Sequence, residues 1–571
     1  MNPLPAILIA GLLAAGRLGA QAPPLELRVP MRDGIKLSAT VWRPAGDGRV
    51  PIILIRSPYP RTCCTIPALA AFYVENGYAV VSQDVRGRGD SEGQFGFWFQ
   101  EVDDGYDTIE WLAAQPWSNG RIGMMGASYP GGAQWLAARA HPPHLTCIVP
   151  TSTGGDYFRD FPYMGGAFME WQALSWVDSM TPRPPSEAAG KHDIDIQAMI
   201  DYRPLATADK ALAGRTLPLY QDLLAHSKLD DYWKRITFEP AILAHVDLPV
   251  LHVTGWYDWA QGSELFLWNG MRRFSPAADR QTLIVGAWTH EYAFFGGSNK
   301  VGVWDVPPQA ILDMKAVHLA FFNRYLKQDA SAAPMPRVRL FVTGADEWRT
   351  FDDYPVPGVK SRPFYLHSGG HANSASGDGT LSAKPPGKEK ADQYSFDPNP
   401  KDKRQAWIAD PEIERSPKEA RSDVLIYSGP VLKAPLEVIG RPEIELYVAS
   451  DARDTDFVVS LLDVQPDNRV RVLAAFPGVV RARYRRGMDH EVLLTPGKPE
   501  LLRIPLADMA HRFLPGHRVR VEITSVAAPM TNINTNTGNP IATDTDSRVA
   551  RQTIFHRRAR ASRLLLPVPG K

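Results

Sequence analysis

The sequence predicts an α/β domain interrupted by a helical insertion and followed by an all-β domain. Three observations carry this reading. Short apolar runs alternate with helical periodicity from about residue 25 to 143. The aromatic-rich stretch from about 150 to 245 loses that alternation, and period-two patterning dominates from about 337 onward. A chain of 571 residues implies two to four domains at roughly 150 residues each.

Taken in order, Ala6 to Gly16 is an apolar run too short to cross a bilayer. It leads into Ala20-Gln21-Ala22, a small-x-small cleavage pattern, and then Pro23-Pro24. Residues 1–22 therefore read as a secretory signal peptide, although Met1 to Pro5 carry no basic residue. The expectation is an exported protein, periplasmic or secreted. No later run reaches the roughly 18 apolar residues that a membrane span needs.

Lys36 to Trp42 alternates as a strand, while Pro51 to Ile55 and Tyr78 to Ser82 read as buried strands. Val102, Tyr106 and Ile109 fall at i, i+4 and i+7, predicting an amphipathic helix over Glu101 to Ala114. The helix formers of 150–245 are broken by prolines at Thr181 to Ser186 and read as an inserted cap. Strands return at Pro249 to Thr254 and Gln281 to Val285, and a helix over Ala316 to Leu326 closes the unit. Arg337 to Val342, Glu443 to Val448 and Arg518 to Ile523 alternate with period two, as in an antiparallel sandwich. Ser368 to Lys390, rich in Gly, Ser and Pro, reads as an exposed loop. The expected domains are 23–145 with 246–335, the cap 146–245, and the β domain 336–571.

Composition removes several function classes. With 44% hydrophobic and 22% charged residues the chain is not wholesale disordered. Sixty-three Lys and Arg against 62 Asp and Glu give a net charge of +1, which argues against a nucleic-acid binder. Three cysteines cannot build a disulfide scaffold or a Cys-rich zinc site. Cys63, Cys64 and Cys147 read as packing residues, and a pairing of Cys147 with either neighbour is left open. No His-Glu-x-x-His pattern is present, so neither a metal nor an organic cofactor is expected.

The chemical signal is Gly126-Ala127-Ser128-Tyr129-Pro130-Gly131-Gly132, between an apolar strand and the helix that runs to His141. A strand–turn–helix elbow holds a serine on a sharp turn, and its small residues permit close backbone approach. Pro130 stands where the strict Gly-x-Ser-x-Gly form has its second glycine. A serine needs a base, and the base needs an orienting acid. In α/β-hydrolases these follow in the order Ser, Asp, His at the ends of later strands. Asp258 lies just beyond the strand at Pro249–Thr254, and His290 just beyond the strand at Gln281–Val285. His252, in mid-strand, and His318, on a helix, read as structural.

Met31-Arg32-Asp33-Gly34, Arg56-Ser57-Pro58-Tyr59, Gln83-Asp84-Val85-Arg86-Gly87-Arg88-Gly89-Asp90-Ser91-Glu92-Gly93 and the Ser128 elbow together resemble the CocE/NonD serine hydrolases. That group includes cocaine esterase, α-amino-acid ester hydrolases, glutaryl-cephalosporin acylases and Xaa-Pro dipeptidyl-peptidases. Phe513 to Val521 is similar to the group's C-terminal jelly-roll signature. The resemblance implies an α/β-hydrolase domain with a helical cap and a C-terminal jelly roll. It makes Ser128 the nucleophile, His290 the general base and Asp258 the orienting acid. It also places the oxyanion hole at the Tyr59 hydroxyl and the backbone N–H of Tyr129. Asp84, Arg86 and Asp90 read as structural, since no phosphate-binding loop surrounds them.

Phe161, Tyr163, Phe168, Trp171, Trp176 and Trp259 are candidate pocket-lining residues, each equally able to be core. Asp156, Asp160, Glu170 and Asp178 could meet a substrate ammonium, though solvated cap charges are the simpler reading. Together these features predict an exported serine hydrolase acting on small ester, amide or short-peptide substrates. Xaa-Pro dipeptidyl-peptidase and α-amino-acid ester hydrolase are the alternatives, and an inert glycan-binding protein is the reading from another class.

Overall fold

The computed structural model describes residues 21–62, 65–181, 194–332, 334–399 and 416–570. The expected leader up to Ala20, Cys63, Cys64 and most of the proline break at Thr181 to Ser186 lie outside the described residues.

Ten strands form the first sheet: β1 (Leu25–Pro30), β2 (Lys36–Trp42), β3 (Val50–Ser57), β4 (Ala79–Asp84), β5 (Ser118–Ala127), β6 (Leu145–Thr151), β7 (Val250–Tyr257), β8 (Gln281–Thr289), β9 (Val338–Val342) and β10 (Glu347–Phe351). Their spatial order is β1-β2-β4-β3-β5-β6-β7-β8-β9-β10. The pairings from β4 through β9 are parallel, and β1–β2, β2–β4 and β9–β10 are antiparallel. Pro51 to Ile55 and Val250 to Thr254 read as continuous apolar runs because helices cover both faces of a parallel sheet. All of these residues are buried.

Arg337 to Val342 alternates with period two, yet β9 pairs parallel with β8 and so belongs to the first sheet rather than to the β domain. Period-two alternation of residue types occurs in strands of either sheet, so periodicity alone does not choose. The helix α1 (Glu101–Ala113) is rotated from its apolar face. Glu101, Asp104 and Thr108 are buried with Ile109 and Leu112, whereas Val102 and Tyr106 are half-buried. Buried partners turn it: Arg56 donates to Glu101 at 2.5 Å, and Arg86 makes a paired contact with Asp104.

The polypeptide between β6 and β7 is an insertion between neighbouring strands of the sheet. It holds the hairpin Tyr163–Met164/Ala167–Phe168, the helix α2 (Glu170–Met180) and several shorter helices. From Lys360 onward a second, thirteen-stranded and mostly antiparallel sheet arrangement follows, with β11 (Glu443–Ser450), β12 (Asp456–Val464) and β13 (Arg518–Thr524) among its strands. Ser368 to Lys390 is less loop-like than its composition suggests: Ala372 and Leu381 are buried, and Thr380–Ser382 pairs as a strand. Cys147 is buried as a free thiol, and burial raises its pKa. Among the described residues no helix is long and apolar enough to cross a membrane.

The insertion docks on the β domain through the hairpin. Gly165 has φ +56° and a Cβ there would lie 1.9 Å from the Val479 carbonyl oxygen, so the two backbones touch. Arg481 donates its amide to Gly165, and Asn532 donates its amide to Phe168. The Arg481 guanidinium is buried, bonds both Asp456 oxygens at 2.8 and 2.9 Å, and reaches the side chain and carbonyl of Asn532 at 3.1 Å. Removing one member of such a pair leaves an uncompensated buried charge. Arg481→Ala is therefore expected to lower stability by about 3–5 kcal/mol, read from urea midpoints.

Glu170 starts α2 in a buried site that pushes its carboxyl up to about 8. The folded chain then holds a proton that the unfolded chain, with an ordinary value near 4.5, has released. Stability should fall as pH rises from about 4.5 to about 8. Glu170→Gln should make the drop in Tm over that window smaller.

Candidate active site

Ser128 sits between β5 and the helix α3 (Tyr129–Arg139) with φ 61° and ψ −125°, a conformation that costs an ordinary residue energy. The turn is held by its neighbours: Ser128 donates its amide to Thr151, and the amides of Gly131 and Gly132 return to the Ser128 carbonyl. Gly131 is required by close approach, since a Cβ would meet that of Thr153 at 2.7 Å. The Tyr129 amide is in the first turn of α3, where no intrahelical acceptor exists.

β7 and β8 run parallel, with Gly286 opposite Gly255 and a register shift before Thr289 opposite Tyr257. A Cβ on Gly255 would lie 2.0 Å from the Trp288 carbonyl oxygen, so the two strand ends are pressed together. This brings Asp258 and His290 into contact, with His290 Nδ1 2.8 Å from Asp258 Oδ1. Asp258 also accepts from the Ala260 amide at 2.9 Å and from Thr254 Oγ1 at 3.0 Å. Burial alone would push the Asp258 carboxyl up, but the adjoining His290 imidazole, the Ser152 side chain and the Ala260 amide hold it below the usual carboxylate range. An ionised Asp258 fixes the proton on His290 Nδ1. Nε2 makes no bond among the described residues and is open to act as a base.

Tyr59 follows β3. Its hydroxyl faces the Ser128 side chain and accepts from Trp176 Nε1 at 3.4 Å. The ring edge reaches solvent, but burial around the hydroxyl raises its pKa, which keeps it protonated as a donor. Arg88 Nε donates to the Pro58 carbonyl at 2.9 Å and anchors the Tyr59 turn. Tyr129 faces the other way: its ring is buried, stacks on Trp98 at 4.7 Å, and its hydroxyl donates to the Phe97 carbonyl at 2.7 Å and meets Glu101 at 3.1 Å. Only the Tyr129 amide is available to a reacting group. Asp84 and Asp90 bind Arg61, and Arg86 bridges Asp33 and Asp104, so these residues brace the loop.

A small cavity of about 20 Å³ opens beside Ser128, lined by Trp98, Ser152, Tyr157, Phe161, Trp259 and Asp160 among others. Of the six aromatic candidates, Phe161 and Trp259 line it, and Trp176 stands over Tyr59. Tyr163, Phe168 and Trp171 do not. The Tyr163 hydroxyl donates to the Leu223 carbonyl, Phe168 is buried beside it, and Trp171 packs against the β-domain core. The hairpin turns inward at these positions, which periodicity cannot report.

The cap carboxylates are not solvated. Asp156 is held by Arg159, Asp178 by Arg215, and Glu170 is buried. Asp160 accepts a short hydrogen bond from Ser263, and burial next to Asp156 pushes it up to about 7. Sequence reading missed Trp98, Tyr157, Arg88 and Thr254. Thr254 was in view as the last residue of an expected strand, but its bond to Asp258 depends on the turn that follows.

The sequence and the fold of this chain are similar to those of known proteins. Residues 33–292 match the family model for X-Pro dipeptidyl-peptidase (S15 family), and residues 331–565 match that for the X-Pro dipeptidyl-peptidase C-terminal non-catalytic domain. Cocaine esterase of Rhodococcus sp. (strain MB1 Bresler) is 35% identical over 557 residues, covering 90% of this chain and 93% of the relative. A putative serine esterase of Mycobacterium bovis is 25% identical, covering 88% and 90%. Among solved structures, an aminopeptidase from a marine sediment Thaumarchaeota archaeon superposes with a TM-score of 0.83 at 25% identity, covering 99% of both chains. An α-amino acid ester hydrolase superposes with a TM-score of 0.81 at 25% identity, covering 100% of both.

Proposed function

This chain belongs to the CocE/NonD serine hydrolases of the X-Pro dipeptidyl-peptidase (S15) family, and on that premise we propose that it cleaves esters of small acyl groups through a Ser128–His290–Asp258 acyl-enzyme mechanism. One observation carries the proposal: the Asp258–His290 pair, 2.8 Å apart, stands at the same end of the parallel sheet as the Ser128 elbow. Ser128 Oγ attacks the carbonyl carbon as His290 Nε2 takes its proton. The Tyr59 hydroxyl and the Tyr129 amide donate to the oxyanion. His290 then protonates the leaving oxygen or nitrogen, the acyl–Ser128 ester remains, and water enters by the same route in reverse. No step uses a metal or organic cofactor.

The cavity beside Ser128, about 20 Å³, has room for little more than a water-sized group and so favours the smallest acyl groups. A second reading, α-amino-acid ester hydrolase or dipeptidyl-peptidase, draws on Asp156 and Asp160 at that cavity and on the names of the two similar structures. The ester reading ranks first because Asp156 is already spent on Arg159 and Asp160 on Ser263. The residues after Asp258 are Trp259, Ala260 and Gln261, which add no carboxylate. An inert glycan-binding protein is set aside, since the relatives of this chain are esterases and peptidases. We further propose export directed by residues 1–22, and a jelly-roll arrangement for the β domain, supported respectively by the leader pattern and by the antiparallel pairings.

On 4-nitrophenyl acetate, Ser128→Ala should abolish turnover without changing Tm. Tyr59→Phe should lower kcat about 10²–10³-fold with little change in KM, the effect of losing one oxyanion donor. Gly-Pro-4-nitroanilide should be cleaved far more slowly than the ester. Faster anilide cleavage would put the dipeptidyl-peptidase reading first, and equal rates in Ser128→Ala would sink the mechanism.

A further inference from the structure

A much larger cavity, about 400 Å³, shares Trp259 and Asp160 with the Ser128 cavity and is lined by residues of the cap and the β domain. The Ser128 chemistry described above uses no residue of its far wall. That wall is apolar, built from Met164, Phe476, Val480, Tyr484, Met488 and Leu506. Four guanidinium groups also line the cavity, from Arg159, Arg441, Arg485 and Arg503, against two carboxylates, Asp160 and Asp258. Asp258 is bound to His290, and Asp160 to Ser263.

Three of the four arginines keep open donors. Arg441 binds Asp508 through Nε alone at 2.6 Å, and Arg503 binds Glu445 through Nε alone at 3.2 Å. Glu445 is in turn shared with Arg563. Arg159 binds Asp156 through one terminal nitrogen. The remaining terminal nitrogens of these three make no bond among the described residues. Their side chains are 48%, 64% and 48% exposed for Arg441, Arg503 and Arg159. Arg485 differs, with its terminal nitrogens directed at the Ala482 and Val492 carbonyls and at Glu500, and it braces the wall.

We propose that this cavity binds the leaving-group portion of the substrate, an apolar body that ends in a carboxylate held by Arg441 and Arg503. The side is assigned by His290, which must deliver a proton to the leaving group. The Trp259 ring lies 4.5 Å from the imidazole, and the same Trp259 lines the large cavity. The size suits a small organic group, and a guanidinium with free terminal nitrogens matches carboxylate geometry in a two-point bond. The inference rests on the acyl-transfer reading of Ser128.

The test compares full-length protein on 3-(4-acetoxyphenyl)propanoate and 3-(4-acetoxyphenyl)propanamide, whose phenols differ little in acidity. Expected is a kcat/KM ratio of about tenfold or more in favour of the carboxylate at low ionic strength, shrinking in 0.5 M salt as exposed charges are screened. In Arg503→Gln the ratio should fall about threefold or more. Arg441→Gln should act likewise, with Arg503→Gln decisive if loss of the Asp508 partner unfolds the other variant. A wild-type ratio near one, or a ratio unmoved in a folded Arg503→Gln, overturns the proposal. So does a greater gain from placing the carboxylate on the acyl group, as in 4-nitrophenyl hydrogen succinate against 4-nitrophenyl acetate. Calorimetry of 3-(4-hydroxyphenyl)propanoate binding to Ser128→Ala, with and without Arg503→Gln, reads the site without turnover. Binding that needs Arg503 in a protein lacking Ser128-dependent esterase activity would fault the mechanism and not the anion site.

Discussion

Parallel strands β5, β7 and β8 end at one edge of the first sheet, and the rest of the site depends on how tightly those ends are held. Gly255 and Gly286 lie opposite each other, and no Cβ could stand between Gly255 and the Trp288 carbonyl. At β5 the close approach of Gly131 to Thr153 accompanies a Ser128 turn of positive φ whose amide is fixed on Thr151 of the neighbouring strand. A crevice at the carboxyl ends of an open parallel sheet is where such folds bind ligands, because loops and helix N-termini converge there. Ser128 with the Tyr129 amide, Asp258, His290 and Tyr59 are carried to that edge by the segments that follow four different strands.

A second layer of charge sets the shape of the site from behind. Arg56 and Glu101 are both buried, and Tyr129 spans the gap from Glu101 to the elbow. Arg61, Arg86 and Arg88 hold the loop that follows β4 and the turn that carries Tyr59. Buried ion pairs of this kind add little net stability against an apolar alternative, but they are costly to break singly. Their effect is geometric: they fix where the Tyr59 hydroxyl and the Tyr129 amide stand, the preorganisation that the proposed oxyanion hole requires.

The cap and the β domain meet at the Gly165 hairpin, and the meeting produces two unequal spaces. The small one touches Ser128 and is walled by aromatic rings, while the large one shares Trp259 with it and is bordered by guanidinium groups. Three parts of the chain border these two spaces. The first sheet carries Ser128 and Asp258, the cap contributes aromatic walls, and the β domain contributes charged residues such as Arg441 and Arg503.

Much of this was legible in the sequence where the signal is local. The strand at Lys36–Trp42 coincides with β2 end to end, and the Ser128 elbow, Asp258 and His290 each follow a strand whose apolar run is continuous in sequence. Local order fixes these because backbone geometry and burial on both faces are properties of a few adjacent residues. Other features were decided only by tertiary structure. Val338–Val342 joins the first sheet, the face of α1 turns inward toward Arg56 and Arg86, Tyr163 and Phe168 become core, and the half-buried Asp160 is held by Ser263. Each depends on a partner distant in the chain. Period-two alternation is the same on either sheet, and a carboxylate or an aromatic ring reads alike in sequence whether it meets water, a guanidinium or another ring.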